Sequence, residues 1–161
     1  MDIRLPKLRK YVTKLTASDI IGVQPMSAST GEIFKLKARA FLTLRIFIDD
    51  ERMPSDVTWM NSIDYTKETW FVARTSHDVF DIIKNHYIGD ERIIISFDHD
   101  LQQFDEYGKE VTGYDILKSI INMHMDKKIS DIPDCYFHTK NPVGKKNMEE
   151  YYRSYIDLVR L

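Results

Sequence analysis

From residue 44 onward, short apolar runs alternate with stretches whose apolar residues recur every three or four positions. The run Leu44 to Ile48 closes on Asp49-Asp50-Glu51, and a second run, Trp70 to Ala73, precedes Ser76 and the spaced set Val79, Phe80, Ile83 and Tyr87. A strand followed by an amphipathic helix produces that change of period. Arg92 to Phe97 (RIIISF) is rich in β-branched residues without alternation, as expected of a strand buried on both faces, and it ends in Asp98-His99-Asp100. After a polar loop, Thr112 and Asp115 stand at capping-box spacing, with Tyr114, Leu117, Ile120, Ile121 and His124 on one helical side. Cys135 to Phe137 predicts a last short strand running into His138-Thr139-Lys140-Asn141-Pro142, and Met148, Tyr151, Tyr152, Tyr155 and Val159 stripe a closing helix.

Strands that alternate with helices predict an α/β domain over residues 44–161, with a mainly parallel sheet covered on both sides. Residues 1–43 read differently. Leu5 to Leu15 has the pattern of a short basic amphipathic helix, and the Ser-Ala-Ser-Thr-Gly turn between Ile20 and Ala40 predicts a hairpin or extended arm.

Composition adds bounds. With 43% hydrophobic and 30% charged residues the chain is expected to fold as a globular protein. No apolar run approaches the roughly 18 residues that span a bilayer, and the start MDIRLPKLRK lacks the apolar stretch of a signal peptide, so a cytoplasmic protein without a membrane partner is expected. The single cysteine, Cys135, sits in the run CYF and is expected to pack rather than to react. The net charge of −2 divides unevenly: residues 1–45 carry nine Lys/Arg against three Asp/Glu, and the rest fourteen against twenty-two. An acidic body is a poor track for a long nucleic acid, although a short RNA end in a pocket stays compatible with it.

Ligands of parallel α/β sheets bind at the carboxyl ends of the strands, where helix N-termini present free N–H groups. Three of the four expected strand ends carry polar clusters, and the fold would bring all three to one edge. Asp49, Asp50 and Asp98 supply the hard oxygen ligands that Mg2+ prefers. If strand geometry persists past Phe97, Asp98 and Asp100 share one side and His99 takes the other. His99 and His138, each near carboxylates, are candidates for a shared acid–base role, whereas His77, His86 and His124 are expected to be structural. Thr139, Lys140 and Asn141, followed by Lys145, Lys146 and Asn147 at an expected helix start, offer donors for an anion.

These clusters, IFIDDERMP, ISFDHDL, TGYDIL and FHTKNPVGKKNME, resemble in this order the cyclic-phosphate-processing receiver-like family over most of residues 44–152. The resemblance implies a receiver-like, flavodoxin-like three-layer sandwich. It also implies a pocket acting on cyclic phosphates, with Asp49, Asp50, Glu51, Arg52, Asp98, His99, Asp100, His138, Asn141 and Asn147 at the matching positions. The leading expectation is a phosphoesterase-like enzyme that processes a cyclic phosphate on a nucleotide or RNA end. Its expected catalytic residues are Asp98, His99, Asp100 and His138; phosphate is held by Arg52, Thr139, Lys140, Asn141 and Asn147, and Mg2+ by Asp49, Asp50 and Asp98. A phosphate-accepting receiver using Asp98, or a cyclic-nucleotide sensor without turnover, is the alternative, although the lysine of an ordinary receiver's fifth strand is not evident. Residues 11–40, through GVQPM and IFKLKAR, are similar to part of the major capsid protein of large contractile-tailed phages. That similarity implies a phage origin, a host-cytoplasmic location and a capsid-associated role as a third possibility.

Overall fold

The structure is a computed structural model that describes residues 43–89 and 91–160. The helix and hairpin expected within residues 1–40, and the capsid-like segment, lie outside the described residues. Strand β1 (Thr43–Ile48) forms where the apolar run was read, one residue longer, and is followed by a 3-10 turn at Pro54–Asp56 and by β2 (Phe71–Ala73). Helix α1 (Ser76–His86), β3 (Arg92–Phe97), helix α2 (Gly113–Met125), β6 (Asp134–Phe137) and helix α3 (Pro142–Val159) complete the alternation. The stretch read as a polar loop holds a two-stranded antiparallel ribbon of β4 (Gln103–Phe104) and β5 (Glu110–Val111).

β1, β2, β3 and β6 make one parallel sheet in the order β2-β1-β3-β6. This is the flavodoxin-like winding expected of a receiver, ending after four parallel strands among the described residues. Local chemistry fixes the helix starts. Thr75 caps α1 in a reciprocal box with Asp78, Thr112 donates from its N–H and Oγ1 to Asp115 Oδ2 at the start of α2, and Asn141 with Pro142 opens α3.

Strand alternation sorts the core. Leu44, Ile46 and Ile48 of β1, Ile93, Ile95 and Phe97 of β3 and Phe137 of β6 share one cluster with Val79 and Ile83 of α1, Ile116, Leu117, Ile120 and Ile121 of α2, and Met148 and Tyr155 of α3. All three helices thus pack on one face of the sheet. The intervening Phe47 belongs to a second cluster, with Val57 and Tyr65 and with the partly buried Met60, Ile63, Trp70 and Val72. The segment between β1 and β2, where strand–helix alternation would place a helix, covers this face as coil around the 3-10 turn. The sheet is covered on both sides as expected, but the third layer is not helical. Val159, placed in the apolar stripe of α3 by its spacing, is exposed in the helix's last turn.

Candidate functional site

Register builds the site. Ile48 pairs with Phe97 and Phe97 with Phe137, so Asp49, Asp98 and His138, each the next residue on its strand, lie side by side. Backbone hydrogen bonds carry the ladder one step past the strands: Asp98 N–H donates to the Ile48 carbonyl at 2.8 Å and His138 N–H to that of Phe97 at 3.0 Å. Alternation then turns Asp49, Asp98 and His138 toward the coil-covered face that Phe47 and Ser96 occupy, and His99 toward the helices.

On the coil face Arg52 is the centre. Its Nε lies 2.7 Å from Asp49 Oδ2 and its Nη2 2.6 Å from Asp98 Oδ2, while the two carboxylates are almost wholly buried. Asp49 Oδ1 accepts from the backbone N–H groups of Glu51 and Arg52, at 2.9 and 2.6 Å. Desolvation opposes ionisation of Asp49, but the hydrogen bond from His138, the two N–H groups and the Arg52 guanidinium outweigh it and hold its pKa at about 2. Arg74, directly after β2, braces the loop by donating to the carbonyls of Asp49 and Arg52 at 2.8 and 2.7 Å. Gln102, with φ +47°, reaches Asp50 Oδ2 at 2.7 Å.

His138 is completely buried, stacked on Phe47 at 4.3 Å between ring centroids. Its Nε2 lies 3.2 Å from Asp49 Oδ2 and its Nδ1 2.7 Å from Ser96 Oγ, which in turn lies 2.5 Å from the Tyr65 hydroxyl. An ionised carboxylate only accepts, so the network assigns the proton to Nε2 and leaves Nδ1 to accept from Ser96. Desolvation, the larger influence, pulls the imidazole below its ordinary pKa despite the Asp49 carboxylate, so the ring is neutral. His138 and His99, expected to share proton transfer on neighbouring strand ends, thus lie in different surroundings. His138 has no exposure, and both its nitrogens are engaged, with Asp49 and with Ser96.

His99 sits on the other side, against the start of α3. Its Nδ1 lies 2.7 Å from Asp100 Oδ1, and its ring rests on Gly144, where a Cβ would fall 2.3 Å from Cγ of the imidazole. Asp100 also accepts from Asn141 Nδ2 at 3.1 Å. Burial raises the Asp100 pKa less than the His99 and Asn141 hydrogen bonds lower it, so the net shift is downward. Strand geometry therefore does not persist to Asp100: the strand ends at Phe97, and Asp100 turns to pair with His99 instead of standing beside Asp98. Among the described residues His99 Nε2 has no hydrogen-bond partner.

The expected phosphate donors separate. Thr139 is buried, its Oγ1 accepting from the Asn141 N–H at 3.2 Å. Asn141 caps α3 through Gly144 N–H at 2.9 Å while its amide serves Asp100. The helix begins at Pro142, so Lys145, Lys146 and Asn147 are not at its start. Lys145 and Lys146 lie near Glu149 and Glu150, and Asn147 is exposed in the second turn of the helix. Lys140 stays at the edge, its Nζ 4.4 Å from the centre of the Trp59 ring, and Arg52 Cζ is 5.5 Å from the same ring. Trp59 in turn donates from Nε1 to the His138 carbonyl at 3.1 Å.

Asp49, Asp50 and Asp98 each offer one oxygen within 4.8 Å of the others, a donor set that could hold a divalent cation. The set fits such a cation in kind, but not while Arg52 stays in place, because the two Asp49 oxygens already accept four hydrogen bonds.

Sequence reasoning missed Arg74, Trp59, Ser96, Tyr65 and Gln102. Arg74 had a signal, since it stands at the fourth strand end, and Ser96 is the polar break in RIIISF. Trp59 and Tyr65 lie in aperiodic coil and had none. Cys135 is as expected: burial pushes its thiol pKa up, and its Sγ lies 3.6 Å from the Pro133 carbonyl. No helix among the described residues is long and apolar enough to cross a membrane.

The model of one family, the cyclic-phosphate processing receiver domain, matches residues 44–154. No curated protein and no solved structure matches the chain. Nothing in these comparisons bears out the capsid similarity of residues 11–40.

Proposed function

Since the chain belongs to the cyclic-phosphate processing receiver family, we propose that it is a phosphoesterase that opens a cyclic phosphate on a nucleotide or an RNA end. The observation that carries this reading is the edge itself. A histidine oriented by a carboxylate (His99–Asp100) follows directly on a carboxylate paired with an arginine (Asp98–Arg52), with a lysine (Lys140) at the next strand end.

Arg52 and Lys140 bring positive charge to the phosphate oxygens, and Arg52 has the planar fork that matches two of them. Asp100 holds the His99 ring by Nδ1, which leaves Nε2 as the atom that exchanges protons. Water attacks phosphorus as His99 takes its proton; one P–O ester bond breaks, and the imidazolium returns the proton to the departing alkoxide. Asp49 and Asp98 set the position of Arg52, and His138 sets that of Asp49. Magnesium held by Asp49, Asp50 and Asp98 would neutralise phosphate charge in place of Arg52, and not beside it, since both draw on the same Asp49 and Asp98 oxygens. Phosphorus NMR of the protein with adenosine 2′,3′-cyclic phosphate or an RNA ending in a cyclic phosphate should show conversion to a monoester. His99→Ala should lower the rate by about 100-fold or more, and an unchanged rate would remove His99 from the role.

A phosphate-accepting receiver is the second reading, favoured only by Asp98 standing at the acceptor's strand end. Arg52 covers that carboxylate, and no fifth parallel strand supplies a lysine among the described residues. Acetyl phosphate labelling of Asp98 without turnover of any cyclic phosphate would favour it.

A further inference from the structure

Trp59 lies in the coil between β1 and β2 and keeps about a third of its surface exposed (37%), whereas Trp70 of the same coil is packed with the second core cluster. An indole left at the rim of a charged edge, in a chain with only two tryptophans, calls for a partner. Its position is fixed: Nε1 donates to the carbonyl of His138 at 3.1 Å, which ties the ring to the end of β6. Its ring is approached by Lys140 Nζ at 4.4 Å and by Cζ of Arg52, the cation of the acidic edge, at 5.5 Å.

Resting on the phosphoesterase reading above, we propose that Trp59 is the stacking platform for the nucleobase of the substrate. A phosphate drawn to Arg52 and Lys140 lies beside the ring by construction, because both cations are within cation–π range of its centre. In a nucleotide the base is one sugar away from the phosphate, so a phosphate that draws Lys140 and Arg52 off the indole, over which they lie, leaves the base beside the third of Trp59 that is exposed. Stacking on an indole accepts every base, since each has a π-face, and it adds about 5- to 150-fold in affinity per base. The substrate class is thereby narrowed to base-bearing phosphates, with little discrimination among bases. Sugar phosphates without a base would bind through the two cations alone.

The test compares adenosine 2′,3′-cyclic phosphate with ethylene phosphate, a cyclic phosphodiester without a base. Both are titrated by calorimetry, and the adenosine ligand also by tryptophan emission, into the full chain and its Trp59→Leu and Trp59→Phe variants. The expected result is quenching of the Trp59 emission by the adenosine ligand. Trp59→Leu should weaken its binding by about 5- to 150-fold, with most of this restored in Trp59→Phe and with ethylene phosphate changed less than about twofold. Equal loss of both ligands in Trp59→Leu would overturn the platform, since Trp59 would then act only by holding the His138 carbonyl. Equal affinity of the two ligands for the unaltered protein overturns the platform but leaves the phosphate site standing. Quenching and base-dependent binding without hydrolysis support the platform and overturn the phosphoesterase. Failure of both ligands to bind overturns both.

Discussion

Replacing Arg52 with methionine should convert the acidic edge from an arginine site into a metal site. In the folded protein one guanidinium serves two buried carboxylates, with contacts of 2.7 Å to Asp49 and 2.6 Å to Asp98. A cation seated on Asp49, Asp50 and Asp98 must displace it, because Asp49 has no lone pair to spare while Arg52 is bound. Two charged hydrogen bonds at roughly 1.5–3 kcal/mol each set the cost of that displacement, and the partial exposure of the arginine reduces it to about 3 kcal/mol. At about 1.4 kcal/mol per tenfold, Arg52→Met should raise affinity for Mn2+, a paramagnetic stand-in for Mg2+, by about 100-fold. The same loss should lower stability by about 3 kcal/mol without metal, since Asp49 and Asp98 keep their charge but lose their counter-ion, and Mn2+ should restore much of it. Arg52→Lys, which keeps the charge but reaches one carboxylate at a time, should fall between. Free Mn2+ is counted by its electron paramagnetic resonance signal, and stability by thermal melts with and without the ion. Asp49→Asn added to Arg52→Met should abolish the gain. Equal Mn2+ affinity in the unaltered protein and Arg52→Met would refute the competition, and a gain that survives Asp49→Asn would place the metal elsewhere.

Three further outcomes follow from the buried network. The lowered pKa values of Asp49 and His138 both mean that folding favours the deprotonated form; His138's contribution is present above its ordinary value of 6.5 and that of Asp49 above 3.8, and each is lost as pH falls through the group's lowered value. Urea melts should therefore show stability declining on acidification below about pH 6.5, with about 2 kcal/mol from Asp49 lost between roughly pH 4 and 2. His138→Phe should remove the upper part of this decline, and a profile flat from pH 7 to 3 would contradict both shifts. Gly113→Ala would place a Cβ 1.8 Å from the Asp98 carbonyl oxygen, so a loss of about 4 kcal/mol or more is expected in denaturant melts; a loss under about 1 kcal/mol would mean that α2 can shift away freely. Tyr65→Phe removes the hydroxyl that meets Ser96 and should cost about 1 kcal/mol, with the His138 tautomer, read by nitrogen-15 NMR, still protonated at Nε2. A switch to Nδ1 would show that Tyr65 fixes the proton's place.

What the sequence conveyed follows from where side-chain periodicity is strong. The four parallel strands and three helices were legible because each buries a continuous face, and a buried face leaves its period in the residues; the two-residue strands β4 and β5 bury little and left no mark. The convergence of Asp49, Asp98 and His138 was legible for the same reason, since parallel strands in register must bring their ends together. Their individual roles were not. Nothing in FHTKN distinguishes a histidine that faces solvent from one sealed beneath a coil. Alternation from Phe137, which faces the helices, sends His138 to the opposite face of the sheet, so the direction of the ring was derivable. Its burial was not, because it depends on residues 49–70, whose Val57 and Tyr65, packed with Phe47 of β1 in the second core, have neither helical nor strand spacing. The same coil supplies Arg52, Trp59 and Tyr65, so the part of the chain least readable by period contributes most of the site's contacts. Strand–helix alternation would place a helix there; coil instead lets one loop bring a guanidinium, an indole and a phenol to three neighbouring strands.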